Sequence, residues 1–291
     1  MRQRRNPAAQ TAVGPIVLSA IEQQEPPERR LVDDDLATSF LPARLRLLVG
    51  LSRFGPLRRA AVAASNRSGP GLWASICCRK RYIDERLSDP VIEFDTVVVL
   101  GAGLDTRAYR IARHSELPVF EVDQPVNVDR KTAVVHRVLG ATPPSVHLVP
   151  VDFEQDALLP ALEAHGYHPG ARTFFIWEGV TQYLTPEAVR TTLGQLAAAA
   201  PGSRLIFTYI RQDFIDGTQL YGADAVYRRF RGRRQVWKSG LVPEEVGDLL
   251  ADCGWRLVEQ AGPSYFRDTY IRPARRSLAA SRIEWTVHAE R

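Results

Sequence analysis

The sequence predicts an α/β protein built on a doubly wound, Rossmann-like parallel sheet, and three observations carry that prediction. Short β-branched or aromatic runs recur from Thr96 onward: Thr96 to Leu100, Val119 to Val122, Val146 to Val151, Phe174 to Trp177 and Leu205 to Tyr209. Runs of this kind, separated by helix-length stretches, read as parallel strands buried between two helical layers. The first of them leads straight into Gly101-Ala102-Gly103, the strand-to-helix turn at which such sheets hold nucleotides. Finally, 291 residues with 45% apolar content suffice for one large core with decoration, so two independent domains are not required.

Residues 1–90 read as a helical cap. Leu45, Leu47, Leu48, Leu51 and Phe54 recur at helical spacing, with breaks at Pro42, Pro56 and Gly69-Pro70-Gly71. Arg2, Arg4 and Arg5, followed by the apolar stretch from Thr11 to Ile21, imitate a secretory signal. Pro15 interrupts that stretch and Glu22-Gln23-Gln24-Glu25 replaces a small-residue cleavage site, so a soluble amphipathic helix is expected. No segment supplies the roughly 20 continuous apolar residues of a membrane helix.

Residues 91–272 carry the sheet, the strand pattern beginning from Ile92. Pro186 and Glu187 open a helix through Ala200 that Pro201-Gly202 ends. A polar insertion at about 211–242, rich in Arg, Gly, Asp and Tyr, follows the fifth strand, where a lid belongs. Trp255 to Val258 and Asp268 to Ile271 are expected as the last two strands, a hairpin-like antiparallel pair, leaving 273–291 as a tail. Seven strands ending this way match the methyltransferase variant of the doubly wound sheet, whereas nucleotide-binding dehydrogenases usually stop at six parallel ones.

The net charge of +5 comes mostly from arginine, Lys80, Lys131 and Lys238 being the only lysines. Basic runs stand at the amino end, at Arg228 to Arg234, and at Arg275 and Arg276. They read first as solvated faces and second as surfaces for nucleic acid or another polyanion. Cys77 and Cys78 are adjacent and Cys253 is alone. An odd count without C-x-x-C spacing indicates neither a disulfide framework nor a zinc site, so no metal and a reducing cytoplasm are expected.

Gly101 and Gly103 let backbone approach a ligand, and Asp105 is placed to cap the following helix. A dinucleotide fingerprint wants a third glycine where Thr106 stands. A cofactor without a pyrophosphate, such as S-adenosylmethionine (SAM), therefore fits better than NAD. About twenty residues on, Glu121 and Asp123 share a strand face, and Asp123, nearest the strand end, is assigned to the ribose hydroxyls of an adenosine. Asp152 and Phe153 close the third strand with a carboxylate for an adenine amino group and a flat surface for its ring. Glu178 leaves an apolar run as a half-buried charge that requires a cationic partner. Tyr183 offers the same cleft a hydroxyl or a ring face. Tyr209 and Arg211, at the end of the fifth strand, are candidates to orient an acceptor carboxylate, the arginine through paired hydrogen bonds.

Together the segments Val98 to Arg107, Phe120 to Arg130, Val151 to Asp156 and Trp177 to Glu187 resemble the leucine carboxyl methyltransferase family, which includes bacterial polyketide carboxyl methyltransferases. The likeness extends more loosely from Thr11 to about Ile210. It implies a class I methyltransferase sheet with SAM as cofactor. By the resemblance, Arg79 grips the cofactor carboxylate, with Arg81 as the alternative because Lys80 stands where many relatives have Thr. Gly101 lies under the methionine portion, Asp123 holds the ribose, Asp152 and Phe153 frame the adenine, and Glu178 sits beside the methionine end. The stretch 211–240 matches no pattern of the family.

The expected function is SAM-dependent O-methylation of a carboxylate on a small molecule, such as a product of secondary metabolism, or on a peptide. A carboxylate nucleophile is ionised at pH 7 and needs no general base. The six histidines (His114, His136, His147, His165, His168 and His288) all lie outside the motif strand ends. The alternatives are hydroxyl methylation, or an RNA-modifying or RNA-binding role for the Arg228–Arg234 patch. Neither nucleic acid nor membrane is an expected partner, and the acceptor and oligomeric state stay open.

Overall fold

The computed structural model describes residues 13–91, 93–232 and 235–291. Seven strands form one sheet: β1 (Thr96–Leu100), β2 (Val119–Asp123), β3 (Val146–Pro150), β4 (Thr173–Trp177), β5 (Arg204–Ile210), β6 (Arg256–Ala261) and β7 (Glu284–Glu290). Their spatial order is β3-β2-β1-β4-β5-β7-β6. The first five are parallel, and β7 runs antiparallel between β5 and β6. Strands β1, β2 and β4 are buried along their whole length, which is why their sequences run apolar without alternation.

The side chains nevertheless alternate between two cores. Val97 and Val99 join one apolar cluster, and Val98 and Leu100 the other. The first cluster is covered by α1 (Val13–Glu22), α5 (Leu72–Leu87), α6 (Arg107–Ile111) and α7 (Pro125–Leu139). The second is covered by α8 (Leu158–Ala164), α9 (Pro186–Leu196) and α12 (Val246–Asp252). Strand order reverses between β1 and β4, and this opens a crevice at their carboxyl ends. Helix α9 starts where expected, with the Thr185 hydroxyl accepting the Ala188 N–H at 3.2 Å, but its regular hydrogen bonding stops at Leu196.

The cap consists of α1, α2 (Ala37–Phe40), α3 (Ala43–Leu51), α4 (Gly55–Ser68) and α5. It shares its core with the sheet: Ile16, Phe40 and Trp73 belong to the same cluster as Val97 and Val99. Buried Glu22 ties it together, accepting from the Leu31 N–H at 3.0 Å, the Trp73 indole at 3.1 Å and Arg276 at 2.6 Å. The apolar residues of α3 divide. Val49 is buried and Leu45 packs on the core, while Leu47, Leu48, Leu51 and Phe54 face outward.

The carboxyl-terminal region corrects the sequence reading. Asp268 to Ile271 is part of a π-helical turn, Arg267–Ile271, that continues α13 (Pro263–Phe266). Pro263 opens that helix, and Phe266, Tyr270 and Ile271 bury at helical spacing. The last strand is β7, inside the stretch expected to be a tail. Its alternate residues Glu284, Thr286 and His288 are buried polar groups, so its pattern does not read as a core strand.

Burial pushes the His288 imidazole down to about 4, with Arg204 adding to the effect. A depressed folded-state value means that the unfolded chain takes up the proton first. The resulting stability is intact above pH 6.5 and is lost as pH falls toward 4. Between pH 7 and 5.5 the wild type should lose about 1.2 kcal/mol through this residue. A His288→Gln variant should show a flatter urea-midpoint profile over the same interval, and equal slopes would refute the assignment.

Candidate functional site

The crevice holds a cavity of about 870 Å³, large for a small-molecule site. Its floor is the turn after β1. The N–H groups of Gly101 and Ala102 both donate to the Val122 carbonyl, at 2.7 and 3.1 Å. Gly101 has φ +67°, and a β-carbon there would lie 2.3 Å from Val180 Cγ2. Glycine is thus required by the loop after β4 as much as by any ligand. At the third-glycine position, the Thr106 hydroxyl donates to Asp34 of the cap at 2.6 Å. Thr106, not Asp105, is the residue before the first turn of α6, and Asp105, one position earlier, accepts the Arg107 N–H at 2.7 Å.

The two acids of β2 separate. Glu121 is sealed under α6 and α7, bonded to Lys131 at 2.6 Å and the Tyr109 hydroxyl at 2.8 Å, and burial raises its pKa against those partners. Asp123 emerges at the rim and lines the cavity. Its carboxylate accepts from Gly103 N–H at 2.6 Å, Gln124 N–H at 2.7 Å and Asn127 Nδ2 at 2.8 Å, which fixes its orientation. Asn127 Oδ1, on another residue of the lining, is buried without a hydrogen-bond partner among the described residues.

Opposite lies a buried ionic network. Glu178 meets Arg79 Nε at 2.9 Å, Arg107 Nη1 at 2.8 Å and Lys80 Nζ at 3.7 Å. Burial alone would raise its pKa, but Lys80, Arg107 and Arg79 outweigh it and hold the carboxyl at about 2. Arg107 also binds Asp105, Asp84 at 2.5 Å and the Lys80 carbonyl at 3.1 Å. Arg79 continues to Glu284 at the start of β7. Burial raises the Glu284 pKa despite Arg79, and its Oε2 has no hydrogen-bond partner among the described residues. Lys80 differs from the two arginines: its nearest carboxylate oxygens, on Glu178 and Asp105, stand 3.7 and 3.8 Å away, beyond hydrogen-bond range.

Asp152 and Phe153 line the same cavity, as do Gly101, Gly103, Tyr183, Arg79 and Glu178. The insertion after β5 forms α10 (Gln212–Ile215) and α11 (Asp224–Phe230) and packs its own core from Ile210, Phe214, Val226 and Trp237. Phe230 and Trp237 stack at 4.5 Å and line the cavity. Lys238 pins the insertion to the end of β3 through both Glu154 oxygens, at 2.6 and 2.7 Å.

Three residues expected at the site lie elsewhere. Arg81 points outward to Glu85 at 2.8 Å and over the Tyr270 ring, because two residues along α5 turn the side chain about 200° from Arg79. Tyr209 is sealed in the second core, its hydroxyl donating to Gln260 at 2.9 Å. Its neighbour Ile210 lines the cavity instead. Arg211 is clamped by Asp213 at 2.8 Å and lies over Tyr221 and Trp285. Arg211→Ala should therefore leave an acceptor KM unchanged. A several-fold rise in KM at constant kcat would restore Arg211 to the site.

The sequence reading gave no role to Arg107, Glu284 or Trp237. Arg107 had a signal, since a basic residue two positions after Asp105 and facing Glu178 supplies the partner that Glu178 requires. In the basic patch, Arg229 and Phe230 line the cavity, while Arg231 is spent on the Ile215 and Trp237 carbonyls at 2.9 and 2.8 Å. Arg233 and Arg234 lie outside the described residues.

The sequence profile for leucine carboxyl methyltransferase matches residues 12–197. A Mycolicibacterium paratuberculosis protein named as an S-adenosyl-L-methionine-dependent methyltransferase is 41% identical over 186 residues, 63% of this chain and 57% of its own length. This chain thus spans less than two thirds of that relative. A Mycobacterium bovis protein named in the same way is 27% identical over 265 residues, covering 84% of this chain and 73% of its own. Among solved structures, an O-methyltransferase family protein from Burkholderia thailandensis superposes with TM-score 0.50 at 16% identity, over 82% of this chain and 62% of that one, a likeness of fold.

Proposed function

Because this chain belongs to the leucine carboxyl methyltransferase family, we propose that it is a SAM-dependent O-methyltransferase whose acceptor presents a carboxylate. The observation that carries the reading is convergence: Asp123 of β2, Asp152 and Phe153 after β3, and Glu178 after β4 line one cavity around the β1 glycine turn. The donor chemistry fits the cofactor. Asp123 would hold two ribose hydroxyls, Asp152 would take the adenine amino group beside the Phe153 ring, and Lys80 together with Arg79 would receive the methionine carboxylate. Asn127 Oδ1, buried and unpartnered, has an acceptor to offer on the ribose side.

When bound, SAM supplies a methyl group on a sulfonium, open to in-line displacement. The chain's task is to hold an acceptor oxygen collinear with that bond and to keep water out, since charge is neutralised as the new bond forms. Glu178, held ionised by its three cations, orients the methionine end. The insertion bearing Phe230 and Trp237 covers the cavity and excludes water. A carboxylate acceptor arrives ionised and needs no base, and no histidine stands among the described residues lining the cavity. Hydroxyl methylation is the second reading. The observation favouring it is Glu284, a lining carboxyl of raised pKa with a free oxygen.

Titration calorimetry with SAM, S-adenosylhomocysteine and NAD tests the cofactor. Binding of the first two and not of NAD is expected, and the reverse would overturn the proposal. Screening acidic metabolites and peptides by mass for one added methyl then tests the acceptor. Methylation of alcohols or phenols alone would replace the carboxylate reading with the second one.

A further inference from the structure

The outer face of the cap carries a surface that the cavity does not explain. Helices α3 and α4 follow one another across a short connection, and buried Val49 and Ser52 together with Arg58, which bonds Glu25 at 2.8 Å, anchor them. The pair exposes large apolar groups: Leu47 is 74% and Leu48 61% exposed, and Leu51, Phe54 and Leu57 are each about half exposed. Positions 44, 47, 48 and 51 fall on one helical face, and exposed Phe54 and Leu57 follow within the next six residues. Contiguous exposed apolar residues of this kind mark an interaction site.

Within this stretch of chain the charges are of one sign: Arg44, Arg46, Arg53, Arg58, Arg59 and Arg67 lie in the two helices and their connection, and no acidic residue stands between Asp35 and Asp84 in the sequence. Among the described residues only Arg58 of these six forms an ion pair. A short helical segment with leucine and phenylalanine on one face, flanked by unpaired arginines, has the chemistry of an interfacial element. In such an element apolar side chains enter the acyl boundary and arginines meet anionic headgroups.

We propose that the exposed leucines, Phe54 and arginines of the α3–α4 segment dock the protein on an anionic lipid bilayer. The helices, of 9 and 14 residues, are too short to span it, and no helix of the described residues is long and apolar enough to cross a membrane. The segment would lie on the surface. A second copy of the chain is a poorer occupant, because a two-fold interface on this face sets arginine against arginine. A nucleic acid would satisfy the arginines and leave the leucines in water. The last turn of α4 contributes Ser65 and Ser68, and its cap Gly69, to the lining of the cavity, so α4 serves both the docking segment and the cavity.

Co-sedimentation with vesicles tests this. The full chain should pellet with vesicles of equimolar phosphatidylcholine and phosphatidylglycerol, and less with phosphatidylcholine alone. Leu48→Glu with Leu51→Glu should weaken pelleting at least about tenfold. Arg44→Gln with Arg46→Gln should weaken it about thirtyfold, the worth of two cations. Both pairs are exposed, so unchanged thermal unfolding is expected. If the glutamate pair unfolds, the glutamine pair carries the test. Failure of the wild type to pellet with anionic vesicles overturns the proposal, as does wild-type binding by folded variants. So does a dimer in sedimentation velocity that the glutamate pair dissociates without lipid.

Discussion

Arg107→Met should destabilise the protein by about 3–5 kcal/mol, the usual cost of removing one partner from a buried ion cluster. The side chain is 2% exposed and joins Asp84, Asp105 and Glu178. Burial opposes the ionisation of Asp105, and Arg107 and Lys80 are what lower its pKa. Without the guanidinium, Asp105 and Glu178 retain the more distant Lys80 as a shared partner, and part of their desolvation goes uncompensated. Urea unfolding of Arg107→Met, with Arg107→Lys as the charge-conserving control, checks this. The lysine should recover part of the loss, since it keeps the charge and lacks the fork that reaches three carboxylates. A methionine variant within about 1 kcal/mol of wild type would mean that the network is hydrated and weak.

The second large effect is on cofactor affinity. Asp123→Asn should weaken S-adenosylhomocysteine binding about hundredfold, the worth of two charge-assisted hydrogen bonds to the ribose. The asparagine keeps the shape and still offers an oxygen to Gly103 N–H or to Asn127 Nδ2, so the unfolding midpoint should move far less than in the Arg107 variant. Calorimetry on the folded variant reads the affinity directly. A Kd within about threefold of wild type would remove Asp123 from the ribose and leave it a purely structural clamp on the glycine turn.

The two variants probe different origins of legibility. Asp123 was legible because strand ends of a parallel sheet converge by topology: an acid at the tip of β2, beside a glycine turn after β1, stands in the crevice wherever the rest of the chain goes. Asp152, Phe153 and Glu178 share that property, and all of them line the cavity. Strands β1 to β5 were legible to within a residue or two because continuous apolar runs bounded by turns have few other uses. Tyr209 illustrates the limit. The period of two along β5 was readable, but which parity faces the cavity was not, and Ile210 holds that side. Arg79 and Arg81 pose the same problem on a helix, where two positions rotate a side chain about 200°.

By itself the sequence determined the doubly wound sheet, the crevice at its carboxyl rim, and the acids at the tips of β2, β3 and β4, because each of these follows from local patterning and strand polarity. Only the tertiary structure decided which charges meet. Arg79 and Glu284 are 205 residues apart in the chain and bonded in the fold, and β7 reaches its place between β5 and β6 with buried Glu284, Thr286 and His288 on alternate positions. Local patterning reports which residues leave water. It does not report which buried charge will compensate another, because that depends on separation in space, and the chain's path alone sets it.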